Sequence, residues 1–152
     1  MDNQSMRFAI ASFPTMDTAA RIQAKLVDGG TASSSISLMG LTVVLRQHIT
    51  ANLVELPFAL ESVGCTAGEV ATMLGSCAKP SLSLSLAQWL LPRHAHRVAK
   101  SVKTRCIVLW VRLPPADNER AICGALLTAS ATPVEVHDFW CCCCCEGTTH
   151  DR

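Results

Sequence analysis

The spacing of apolar and polar residues along this chain marks out its elements. Phe8 to Phe13 reads as a strand diluted by Ala9 and Ala11, and Cys106 to Leu113 as a stronger, β-branched one with Arg112 near its end. Pro14 and Pro114-Pro115 end these ladders, because proline has no N–H to donate. Helical spacing follows each strand: Ala19, Ile22 and Leu26 share one face, as do Ile122, Leu126 and Ala129. Asp17 and Asp117 fall where an N-cap is needed, and Gly29-Gly30 supplies a left-handed stop. Ser35 to Met39 and Pro133 to His137 then alternate, with Ile36 and Leu38 in one and Val134 and Val136 in the other. Period two predicts a strand covered on one face.

The two ends also keep a common register. At an offset of one hundred positions, Phe8 meets Val108, Ile10 meets Trp110, Phe13-Pro14 meets Leu113-Pro114, and Ile22 meets Ile122. Two such units predict an α+β fold: a ferredoxin-like βαβ…βαβ duplication around a four-stranded antiparallel sheet, with two helices on one face. Residues 6–139 then form a single domain. It divides into a first unit at 6–40, a mainly helical insertion at 41–104 and a second unit at 105–139, with 140–152 as a disordered Cys-rich tail.

Within the insertion, Thr66-x-x-Glu69 has the spacing of a capping box that opens a helix through Met73 and Leu74. Ser81 to Leu91 reads as another helix. Pro92 suits the first turn of a third, on which Ala95, Val98, Ala99 and Val102 share a face. Leu41 to Leu60 is open between strand and helix.

Composition narrows the class. Among 152 residues, 49% are hydrophobic and 16% charged, which excludes a disordered chain. A net charge of +1 gives no nucleic-acid footprint, and Arg93, Arg97, Lys100, Lys103 and Arg105 read as the wet side of a helix. Asp2 to Ser5 lead into no signal-peptide core, and Arg46, His48 and Glu55 interrupt the most apolar stretch, so no transmembrane segment is expected. These features predict a cytoplasmic protein in which Cys65, Cys77, Cys106 and Cys123 stay reduced.

Trp89-Leu-Leu-Pro-Arg-His-Ala95, Ile107-Val-Leu-Trp-Val-Arg112, Asp117-x-Glu119-Arg120-Ala121 and Val136-His-Asp138 carry a family resemblance. Together they resemble bacterial proteins with a general stress protein 17M-like domain. The resemblance implies a bacterial cytoplasmic protein with no catalytic residues to carry over. Many relatives have a Gly/Ala-rich, membrane-like middle that this chain lacks.

No motif points to an enzyme. The chain has no phosphate-binding glycine loop and no nucleophile elbow. His94 and His96 lie about 200° apart on a helix and cannot share one ion. His137 has Asp138 beside it as a possible orienting carboxylate, and an approach of His94 to His137 would create a small metal or proton-transfer site. Cys65, just ahead of the capping box, is a weak thiol candidate. Asp117, Glu119 and Arg120 read as helix-opening charges. Cys141 to Cys145 are consecutive, so they cannot all bind one ion, although Cys141, Cys143, Cys145 and His150 make a weak set for Zn or Cu(I). Incidental or acylated tails are the other readings. No cofactor is required by these patterns. The expected function is a non-enzymatic regulatory or stress-associated module, acting through a protein partner or as a homo-oligomer, with Trp110 on an open sheet face. Soft-metal binding through the Cys-rich end and histidines is the alternative.

Overall fold

A computed structural model describes residues 4–113, 119–128 and 134–141, with backbone only for 4, 5 and 139–141. Strand β1 (Gln4–Phe13) leads to helix α1 (Met16–Asp28), a 3-10 turn (Ser33–Ser35) and β2 (Ile36–Leu41). Then come α2 (Thr42–Leu45), β3 (Leu53–Glu55), β4 (Val63–Thr66), α3 (Glu69–Ser76), α4 (Leu82–Leu86) and α5 (Pro92–Lys103). The chain continues through β5 (Ile107–Arg112), α6 (Glu119–Leu127) and β6 (Glu135–Cys141).

The fold is α+β, with one open antiparallel sheet in the order β3-β4-β2-β5-β1-β6. The expectation of four strands is corrected to six, because the insertion adds β3 and β4 beyond β2. Periodicity could not show them: β3 has three residues, and β4 carries a glycine. Gly40 of β2 stands opposite Gly64 of β4. A Cβ on Gly40 would come within 3.2 Å of Ile107 Cδ1, and one on Gly64 within 3.3 Å of Leu53 Cδ1. A side chain at either position would press on these side-chain ends, which would have to give by a few tenths of an ångström.

In the centre, Ile10 faces Trp110 across the β1–β5 pair, and Ile36 faces Val111 across β2–β5. One face of the sheet presents Ala9, Ala11, Phe13, Leu38, Leu109 and Val111 to the apolar sides of α1 and α6. The opposite face presents Phe8, Ile10, Met39, Val108 and Trp110 to α3, α4 and α5. Trp110 is fully buried there, edge-on to Phe8 with ring centroids 5.8 Å apart. The insertion therefore covers the face on which Trp110 was expected to be open.

Local signals mostly act where expected, with instructive shifts. Thr15, not Asp17, caps α1, its hydroxyl accepting from the Thr18 N–H at 3.2 Å. Gly30 takes the left-handed turn after that helix, at φ 107°. The Thr66–Glu69 box does not form. Thr66 accepts instead from the Leu38 N–H at 3.0 Å, and Glu69 pairs with Arg112. Ser81 caps α4, which ends at Leu86 rather than Leu91. Pro92 opens α5, and Ala95, Val98, Ala99 and Val102 form its buried face. Trp140 and Cys141 belong to β6, so that strand outruns the expected boundary at 139. Pro114, Pro115, Asp117, Ala129 and Pro133 lie outside the described residues.

Candidate metal centre

Pro92 sets the start of α5, and this places His94 on the opening turn, beside the buried Ala95. Across from it runs β6, an edge strand paired with β1 so that Glu135 stands opposite Ile10 and His137 opposite Phe8. Residues two apart on a strand share a face. Glu135 and His137 therefore point to the same side as Phe8 and Ile10, which is the side α5 covers. The sequence predicted the meeting of His94 with His137 only as a contingency; the fold brings it about.

The geometry is close. His137 Nε2 lies 2.9 Å from Glu135 Oε1, and His94 Nδ1 lies 3.2 Å from the same oxygen. The imidazole centroids are 5.0 Å apart at 63°. One donor atom from each of His94, Glu135 and His137 falls within 4.8 Å of the other two. Around a tetrahedral zinc with bonds of about 2.0–2.1 Å, donors sit roughly 3.3 Å apart, so small side-chain rotations close the set. Despite its nearness to Glu135, His94 Nδ1 is buried and has no hydrogen-bond partner among the described residues. A buried nitrogen in that state has a lone pair to offer an incoming metal ion. Arg97, one turn along α5, bonds to Glu135 Oε2. Burial pushes the Glu135 carboxyl up, but the His137 hydrogen bond and the charges of His94 and Arg97 outweigh it and hold it below its ordinary value. Glu135 is thereby kept as the anionic donor a metal needs.

Other candidates separate from this cluster. His96 is exposed on another side of α5, as its spacing requires. Asp138 does not orient His137; it accepts from Arg7 at 3.1 Å, and Arg7 also holds Glu119 at 3.0 Å. Glu135 orients the imidazole instead. Cys141 is the end of β6, about 13 Å along the strand from His137 at roughly 3.3 Å per residue. Cys143, Cys145 and His150 lie outside the described residues. Cys65 is buried, and burial pushes its thiol up to about 12. Cys123 is also raised, by burial first and then by Glu119. Neither thiol is activated. Cys65, Cys106 and Cys123 are free. Cys77 is disulfide-bonded, against the expectation that it stays reduced.

A cleft of about 740 Å³ opens elsewhere, between the end of α1, the start of α3 and the end of β5. Its walls include Ser34, Ser35, Glu69 and Arg112, and the ion pair between the last two leaves no uncompensated charge there. The His94 cluster is the stronger chemical site.

Sequence reasoning missed Glu135. Period two marks it only as a polar step in an alternating strand, although Glu135-x-His137 on a strand already sets two metal donors on one face. Among the described residues, no helix is long and apolar enough to cross a membrane. No protein-family model, curated protein or solved structure matches this chain.

Proposed function

We propose that this chain is a non-enzymatic metal-binding module that holds one borderline divalent cation, zinc foremost, on His94, Glu135 and His137. The buried Nδ1 of His94, 3.2 Å from the Glu135 carboxylate yet without a hydrogen bond among the described residues, carries the reading. Two imidazoles and a carboxylate suit Zn²⁺ better than Cu(I), which prefers thiolates. The ligands come from the inserted helix and the last strand, so an ion would tie the insertion to the sheet edge. A role in stress regulation, as the general stress protein 17M-like resemblance implies, fits a protein whose stability follows metal supply.

The four strands β2-β5-β1-β6 support a ferredoxin-like duplication as the ancestral core of the module. Ile10 and Trp110, equivalent at the hundred-residue offset, face each other. Ile36 pairs with Val111, and its equivalent Val136 pairs with Ala9, two residues from the Ala11 that a strict hundred-residue offset would place there.

The test is zinc content after equilibrium dialysis of the full chain, of Glu135→Gln, and of a form lacking residues 142–152. One equivalent is expected in the full and shortened chains and none in Glu135→Gln. Zinc that disappears with the tail but survives Glu135→Gln would overturn the assignment.

A further inference from the structure

We infer that the metal centre takes an exchangeable oxyanion of the phosphoryl class as its fourth ligand, held jointly by the ion and Arg97. This rests on the metal reading above and extends it to the ligand. The two oxygens of Glu135 are used differently: both imidazoles approach Oε1, while Arg97 bonds to Oε2. Arg97 thus holds the carboxylate as a one-oxygen donor. Three protein donors leave one position of a four-coordinate zinc for an outside ligand. The side chains of His94, Glu135 and His137 are 19%, 13% and 17% exposed and that of Arg97 44%, so the cluster meets solvent at Arg97.

Charge selects what enters. A divalent ion with one carboxylate leaves a net positive centre, and Arg97 adds a second positive charge in contact with it. Arg93 and Lys100 extend the stripe at helical spacing on the same side of α5, and all three are exposed. Among the described residues only Nη1 of Arg97 is occupied by Glu135, and a guanidinium carries five N–H donors. One oxygen of a phosphonate or phosphate on the metal would leave a second to accept from that fork, the planar geometry arginine recognises best. Water as fourth ligand would leave the excess charge unanswered.

The experiment loads the full chain with Co²⁺, whose visible absorption reports coordination, and titrates methylphosphonate against chloride at equal ionic strength. A saturable spectral change with phosphonate and none with chloride is expected. At cobalt saturation, Arg97→Met should weaken phosphonate binding at least about tenfold, the loss of a charge-assisted hydrogen bond, with Arg97→Lys between the two. A cobalt spectrum that phosphonate leaves unchanged, or changes equally in Arg97→Met, overturns the oxyanion assignment alone. Failure to bind cobalt overturns the metal reading and this one with it.

Discussion

Nδ1 of His94, on the first turn of α5, lies 3.2 Å from Oε1 of Glu135 on the closing strand, yet it is buried without a hydrogen bond among the described residues. Two features enforce this contact. Pro92 fixes where the helix begins, and the pairing of Ile10 with Glu135 fixes the strand register. A shift of one residue in β6 would turn Glu135 and His137 to the opposite face, toward α1 and α6.

The two histidines of α5 should therefore behave differently. His94→Ala is expected to weaken zinc by more than the roughly 10–100-fold that loss of an outer-shell partner costs, while His96→Ala leaves affinity unchanged. Calorimetric titration of both variants checks this, and equal losses would show that the ion is not at His94.

Cys65 is expected to resist alkylation at pH 8 in the folded protein, because its thiol is pushed up to about 12 inside the core. Iodoacetamide labelling with peptide mapping should modify Cys65 only in denaturant. Labelling of native protein at the rate of an exposed thiol would contradict its placement.

Glu119 offers a pH test away from the metal centre. The hydrogen bond from Arg7 holds its carboxyl below the ordinary value of 4.5, against a smaller upward push from burial. A depressed folded value stabilises the protein above the unfolded value, and that contribution disappears as pH falls through the folded one. Glu119→Gln should be slightly less stable than the parent at neutral pH, and the gap should close on acidification below pH 4.5. Urea midpoints across pH read it; a gap that widens in acid would reverse the sign.

Trp110 tests the covered sheet face. It is fully buried against Phe8, so Trp110→Ala is expected to cost about 3–5 kcal/mol in urea unfolding. A loss under about 1 kcal/mol would mean that α3, α4 and α5 do not seal that face.

Much of the framework was legible in the residues. The strands at Phe8–Phe13 and Ile107–Arg112, the apolar faces of α1, α5 and α6, and the stop at Gly29-Gly30 follow from period, proline and glycine. These are local preferences that neighbours in sequence enforce. The short hairpin of β3 and β4 was not legible, since its place in the sheet depends on pairing with β2, more than twenty positions away in the chain. The failed capping box at Thr66 has the same cause: the hydroxyl had a better partner in the β2 backbone.

The sequence by itself determined the two βαβ-like ends, the helices opened by Ser81 and Pro92, and the exclusion of His96 from any shared site with His94. Tertiary structure alone decided that α5 lies over β6, that Glu135 and not Asp138 serves His137, and that Trp110 is interior. Side-chain meetings between distant segments depend on strand order and on which face a helix covers. Those are set by the summed burial of the whole core, which no local pattern records.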